Sequence, residues 1–251
     1  MSDIKNYTSP IYDQYLTTTY APQQELNDKV IQYKANQYAH YFGAYLPSNK
    51  AASILEVGCG PGGFLLCCQQ LGYTNTVGID LSPQMVAFCH QHGFTQVFCV
   101  DVLTYLNDCA EQFDLVVMSD VLEHLTKPEV LATLRLIYQN LNVGGRIIIR
   151  VPNLSNPFNN HTQYGDFTHE TAFTTKSLQQ VLQVSGFAIE SIHGELTLYS
   201  HWLERLFFDQ LLWRAFQFFF LHTMHLDQDV IRGKNLIAVG IKTTKLSISA
   251  S

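Results

Sequence analysis

The chain has 251 residues, 47% apolar and 14% charged, with a formal charge of −6. That is enough apolar surface for a full α/β domain with a small attached cap, and it excludes a disordered chain. The acidic balance gives no electrostatic footprint for a nucleic-acid partner.

Residues 1 to about 35 are polar and tyrosine-rich, punctuated by Pro10 and Pro22, and read as a tail. In an alternative reading, Tyr7, Tyr12, Tyr15 and Tyr20 form a flap over a site. The opening Met-Ser-Asp-Ile-Lys-Asn lacks the basic start and apolar core of a secretory signal. All six cysteines (59, 67, 68, 89, 99 and 109) lie in one half of the chain without a Cys-x-x-Cys pair. Neither structural zinc nor a disulfide framework is expected, and a cytoplasmic setting is. Tyr33–Tyr45 has helical character and stops before Pro47.

From Ser53 the pattern alternates strand and helix. Ile54–Val57 predicts a strand, and Gly58-Cys-Gly-Pro-Gly-Gly63 a tight loop that opens a helix over Phe64–Leu71. Gly58, Gly60 and Gly63 satisfy G-x-G-x-x-G, and Asp80 stands where a ribose-binding acid is expected. Glycine is required there because a Cβ would keep the backbone from a ligand. Thr76–Ile79, Gln96–Val100, Leu115–Ser119 and Arg146–Val151 predict further strands, the first three ending at Asp80, Asp101 and Asp120. Between them, Ser82-Pro83 caps one helix and Thr126-Lys-Pro-Glu129 has capping-box spacing for another. Apolar strands separated by helices imply a parallel sheet covered on both faces, with ligands bound beyond the carboxyl ends of its strands. Glu56, Asp80, Asp101 and Asp120 all fall at that edge.

After Pro152 a long polar stretch, 153–170, carries His161, Asp166 and His169 and leaves the same edge. Loops of that length inside a domain are usually functional or disordered, and we read this one as functional. Thr175–Ser185 predicts a helix, and Ala188–His193 and Asn235–Ile241 the last strands. Between those strands the aromatic segment 199–221 is interrupted by Glu204, Arg205, Asp209 and Arg214, so it is no transmembrane span. It reads as a helical cap, either packed on the domain or forming a homodimer surface. The organisation is then 1–50, tail and helix; 51–195, cofactor core; 196–232, aromatic cap; and 233–251, last strand and frayed tail.

The glycine loop alone leaves its adenosine cofactor open. A short-chain dehydrogenase would carry Tyr-x-x-x-Lys, and none of the 13 tyrosines has a lysine four residues on. Instead, Glu56-Val-Gly-Cys-Gly-Pro-Gly62, Gly78-Ile-Asp80-Leu-Ser, Asp101-Val102, Phe113 to His124 and Leu141-x-x-Gly-Gly145 together resemble the class I S-adenosylmethionine-dependent methyltransferases. The resemblance spans residues 50–195 and implies a Rossmann-like, seven-stranded, mostly parallel sheet with helices on both faces. Asn235–Ile241 would be its antiparallel strand. It also implies S-adenosyl-L-methionine as cofactor. Gly58, Cys59, Gly60 and Gly62 would lie under the methionyl and ribose parts, with Glu56 serving the ammonium end. Asp80 would accept both ribose hydroxyls beside Leu81. Asp101 and the amide of Val102 would hold the adenine, and Ser119 and Asp120 would lie near the transferred methyl.

A hydroxyl acceptor needs a base, and histidine is matched to neutral pH. We assign that role first to His169, oriented by Asp166, and then to His124. Asp120, Glu123 and His124, at i, i+3 and i+4, would share one face of a helical turn and could hold a divalent metal, an arrangement similar to that of some ubiquinone-pathway O-methyltransferases. The reading adopted assigns no metal. A looser similarity, in the Asp-x-Thr-His segment, Phe173-Thr-x-x-Ser-Leu and Ser185-Gly-Phe187, is to bacterial methyltransferases of cell-surface polysaccharide and natural-product pathways. The expected activity is methyl transfer to a hydroxyl of a small molecule or glycoside. The alternatives are N- or C-methylation, a metal-assisted phenol O-methyltransferase, and a silent cofactor-binding protein.

Overall fold

The computed structural model of the chain describes residues 26–156, 159–195 and 233–244, with isolated positions at 11, 214, 215, 218 and 219. Apart from those positions, residues 1–25 of the tyrosine-rich tail, the aromatic cap or dimer surface at 199–221 and the last residues lie outside that set.

Helix α1, Asp28–Phe42, starts earlier than its periodicity suggests because Asn27 caps it. Its Oδ1 accepts from the amides of Lys29 (3.1 Å) and Val30 (3.2 Å), two of the donors that a helix start leaves unpaired. A 3₁₀ turn, Gly43–Tyr45, then leads to Pro47. The core follows as β1 (Ile54–Val57), α2 (Gly63–Gln70), β2 (Thr76–Asp80), α3 (Pro83–Gln91), β3 (Val97–Cys99), α4 (Val102–Asp108) and β4 (Phe113–Ser119). After a 3₁₀ turn at Leu122–His124 come α5 (Lys127–Asn140), β5 (Leu141–Pro152), α6 (Asn160–Tyr164), α7 (Thr175–Val184), β6 (Ala188–Gly194) and β7 (Asn235–Ile241). The Thr126–Glu129 capping box forms, with the amide of Thr126 donating to Glu129 Oε2 at 3.0 Å.

The seven strands run in the order β3-β2-β1-β4-β5-β7-β6. All neighbours are parallel except β7, which lies antiparallel between β5 and β6. The central strands β1, β4, β5 and β7 are buried on both faces, which their apolar runs require. Leu55, Val57, Val116, Met118, Ile147, Ile149 and Ala238 pack on one side with α5 and α7. Their alternates Ile54, Leu115, Val117, Ile148, Ile237 and Val239 pack on the other with Phe42 of α1 and Phe64 of α2. That alternation is the period of two of an extended strand.

Besides the earlier start of α1, β5 and the polar stretch after it differ from the sequence expectation. Strand β5 begins at Leu141, opposite Phe113, and runs through the glycine pair that precedes the strand predicted over Arg146–Val151. Its register then skips to Leu115 opposite Arg146, so four residues form a bulge with Gly144 at a φ of 82°. The polar stretch after Pro152 is not wholly irregular, because α6 forms within it. The strand order reverses about β1, which pairs with both β2 and β4, and a ligand crevice is expected at their carboxyl ends.

Candidate active site

A cleft of about 1030 Å³, counting the space open to solvent, lies at that reversal. It is walled by the glycine loop, the ends of β2 and β4, the start of α4 and one face of α1. Gly58 and Gly60 hold φ values of 68° and 49°. A Cβ on Gly58 would stand 2.3 Å from Cγ2 of Val121, so both backbone and space require glycine there. The amides of Gly58 and Cys59 donate to the carbonyl of Ile79 at 2.8 and 3.0 Å.

Asp80 closes the loop from the next strand. Its Oδ2 accepts from the amide of Gly60 and its Oδ1 from that of Ser82, both at 2.8 Å. Burial raises the pKa of this carboxyl, and the amides of Ser82, Gly60 and Leu81 work against that rise. Asp101 caps α4, its Oδ1 accepting from Leu103 (2.9 Å) and Thr104 (3.3 Å), and lines the cleft with Val102.

Of the sequence-derived cofactor residues, Gly58, Cys59, Gly60, Asp80, Leu81, Asp101, Val102, Ser119 and Asp120 line the cleft. Gly62 does not; its Cα faces Phe94 and Cys89. Glu56 does not line it either. It is 2% exposed inside β1, and its Oε2 has no hydrogen-bond partner among the described residues. Burial, then the nearby Cys89 and Asp80, push its pKa well above the ordinary carboxyl value, against the opposing pull of Lys34 and the amide of Leu65. A carboxyl whose folded-state pKa is raised favours folding when protonated and costs stability as pH climbs past the unfolded value. Glu56→Gln should therefore stabilise the ligand-free protein at pH 8, by about 1–3 kcal/mol, while changing little at pH 4. Thermal unfolding at the two pH values checks this; an equal or negative shift at pH 8 would count against the buried charge.

Two cleft residues that the sequence reading missed, Lys34 and Tyr38, come from α1. The Tyr38 hydroxyl donates to Ser119 Oγ at 3.3 Å, and burial first of all raises its pKa to about 12, so it stays a neutral donor. Arg150 on β5 was also missed. The signal was present: a lone charge inside Ile147-Ile-Ile-Arg-Val. Its Nη1 reaches Ser119 Oγ at 3.3 Å and pairs with Asp120, and its Nε donates to Glu195 at 2.8 Å. Asn235 of β7 donates to the same Glu195 oxygen at 2.5 Å. Asp120 is held at a φ of 58°, a region seldom adopted by residues other than glycine.

The stretch after Asp120 is therefore not the α-helical turn inferred from its spacing. Val121 (φ −129°, ψ −44°) is neither helical nor extended, and only Leu122–His124 turn, as a 3₁₀ helix. His124 lines the cleft, while Asp166 and His169 do not. The His124 ring meets that of His169 edge-on, with centroids 4.6 Å apart. Asp166 does reach a histidine, but the other one: Thr168 Oγ1 donates to Asp166 Oδ1 at 2.6 Å and lies 2.8 Å from Nδ1 of His124. His169 Nδ1 instead faces the carbonyl of Gln163 at 2.8 Å. Burial and the neighbouring His169 lower the His124 pKa to about 4. Glu123, His124 and His169 bring ligand atoms within 4.8 Å of one another, and Glu123 Oε2 is buried without a hydrogen-bond partner among the described residues. The metal-ligand spacing read from sequence is thus assembled with His169 in place of Asp120, which pairs with Arg150.

Strand order, glycine loop and the acid clasping it define the class, a Rossmann-like protein built around an adenosine cofactor. Residues 28–192 match the methyltransferase-domain family, and the chain belongs to it, with the class I fold and S-adenosylmethionine as cofactor. It is similar to a mitochondrial ubiquinone biosynthesis O-methyltransferase of Rattus norvegicus, with 28% identity over 174 residues covering 60% of this chain and 50% of that protein. The chain thus spans about half the length of that relative. Among solved structures, an S-adenosylmethionine-dependent methyltransferase from Archaeoglobus fulgidus shares the fold at a TM-score of 0.63 and 22% identity, covering 83% of this chain and 94% of that one. The magnesium protoporphyrin IX methyltransferase of Synechocystis PCC 6803, solved with S-adenosylmethionine bound, does so at 0.57 and 14%, covering 93% and 96%.

Proposed function

We propose that the chain transfers a methyl group from S-adenosylmethionine to a hydroxyl of a small molecule or glycoside. In this reading Asp80 accepts both ribose hydroxyls, Asp101 and the amide of Val102 hold the adenine, and Gly58, Cys59 and Gly60 underlie the methionyl part. The orphaned oxygen of Glu56 suits the ammonium end. The observation that carries the hydroxyl acceptor is His124, a histidine in the wall of the same cleft as Asp80 and Asp101. Its position favours it over His169 as the base that takes the acceptor proton. The ubiquinone biosynthesis O-methyltransferase among the relatives supports an oxygen acceptor. Among the described residues no helix is long and apolar enough to cross a membrane. Six free cysteines support a reducing, cytoplasmic setting.

Labelled-methyl transfer to a panel of hydroxyl, amine and carbon acceptors tests the reading. Methyl ethers are expected, and His124→Asn should lower their formation about 10²–10⁴-fold with S-adenosylhomocysteine affinity unchanged. N- or C-methyl products would overturn it, as would full activity in the variant. A metal-assisted version of the same transfer is favoured by one observation, the partnerless Glu123 oxygen beside two imidazoles. Activity lost on dialysis against a chelator and restored by magnesium, manganese or zinc supports that version; activity indifferent to chelation removes it.

A further inference from the structure

The Asp166–Thr168–His124 chain specifies which nitrogen of His124 carries its proton. As a carboxylate, Asp166 can only accept, and its Oδ1 takes both the amide of Thr168 (2.9 Å) and the Thr168 hydroxyl (2.6 Å). The single hydroxyl proton of Thr168 is therefore spent on Asp166. What Thr168 Oγ1 has left for His124 is a lone pair, so across the 2.8 Å contact Nδ1 must be the donor. A neutral imidazole carries one N–H, and with the proton on Nδ1 the lone pair belongs to Nε2. Thr168 is fully buried, so no solvent competes for its hydroxyl.

We infer that Thr168 is a positioning residue: pinned by Asp166, it locks His124 as the Nδ1–H tautomer and aligns its ring for proton acceptance at Nε2. This rests on the reading of His124 as base to a hydroxyl acceptor. In the step it serves, a lone pair of the acceptor oxygen attacks the sulfonium methyl. The O–C bond forms as the S–C bond breaks, and the S–C electron pair stays on sulfur, giving a neutral thioether. The acceptor proton passes to His124 Nε2. The resulting imidazolium keeps its Nδ1 proton and donates it toward Thr168, whose own hydroxyl is turned to the Asp166 carboxylate. The carboxylate thus offsets the new charge without being protonated, as an acid does when it orients a catalytic histidine. Among the described residues, His169, Asp166, Asp120 and Glu123 are the titratable groups around the ring. The backbone supports the device, since the amides of Glu170 and Thr171 donate to the carbonyl of Glu123 at 2.8 and 2.9 Å, tying the loop to the turn that carries His124.

The test is long-range proton–nitrogen NMR of the ¹⁵N-labelled full chain bound to S-adenosylhomocysteine, with the ring of His124 assigned by its loss in His124→Asn. A protonated Nδ1 and an unprotonated Nε2 are expected in the parent protein. A protonated Nε2, or an even mixture, would overturn the inference even if neither Thr168 variant folded. Thr168→Val should mix the tautomers and slow methyl transfer to the hydroxyl probes catechol and methyl glucoside by about 10–100-fold, with S-adenosylhomocysteine affinity retained. Thr168→Ser, which keeps the hydroxyl, should restore both. A valine variant with the parent tautomer and rate would also overturn the assignment. If the tautomer pattern holds but only amine or carbon acceptors are methylated, the proposed function fails and the tautomer lock stands.

Discussion

Asp80→Ala is expected to weaken S-adenosylhomocysteine binding by about 10²–10⁴-fold in a calorimetric titration. Two losses add. In the ligand-free protein both carboxylate oxygens already accept backbone amides, of Gly60 and Ser82, so Asp80 holds the glycine loop in the shape a ligand meets. In the bound state the same oxygens have lone pairs left for the two ribose hydroxyls. Hydrogen bonds to a charged group contribute roughly 1.5–3 kcal/mol each, so two of them come to about 3–6 kcal/mol, and each 1.4 kcal/mol is tenfold in affinity. Asparagine should rescue little, because its amide group would set one N–H donor against the N–H of Gly60 or Ser82. Parent-like affinity in Asp80→Ala would remove the cleft as the cofactor site.

Arg150→Met should lower stability by roughly 2–4 kcal/mol, read as a fall of about 5–15 °C in thermal unfolding. The Arg150 side chain is 19% exposed, Glu195 11% and Asp120 45%. Burial works against the guanidinium charge, but the carboxylates of Asp120 and Glu195 more than offset it and raise its pKa above the ordinary value. Removing it strands Glu195 in the interior, which dominates the loss; the half-exposed Asp120 adds less because water screens it. A second effect falls on the site. Asp120 loses the partner holding its carboxylate while its backbone sits at a φ of 58°, so the cleft wall beside His124 should relax toward commoner geometry. Arg150→Lys should not rescue, because one ammonium cannot reproduce the separate Nε and Nη1 contacts to two carboxylates. Stability unchanged in Arg150→Met would mean that the network does not hold the strand ends together.

How far the site was legible depended on whether a residue's role is local. The glycine loop, Asp80 and Asp101 could be read because strand, turn and helix follow one another and the acids fall at strand ends. Asp101 both caps α4 and stands in the cleft wall. Lys34 and Tyr38 were not legible, because only the packing of α1 against α2 brings that face over the loop. Asp166 was placed next to His169 by sequence distance, yet its carboxylate is directed through Thr168 to His124, 44 residues from that threonine.

The sequence by itself determined the seven strands in their chain order, the two covered faces of the sheet and the class of cofactor. Periods of two and 3.6, capping residues and glycines act over a few residues and leave their mark in the chain. Tertiary structure alone decided which histidine faces the cleft, which acid pairs with Arg150, and that His169 rather than Asp120 joins Glu123 and His124. Those choices depend on how the 3₁₀ turn after β4 meets the loop around Thr168, and the contact is made by backbone amides of Glu170 and Thr171 on the Glu123 carbonyl, which any residue type could supply.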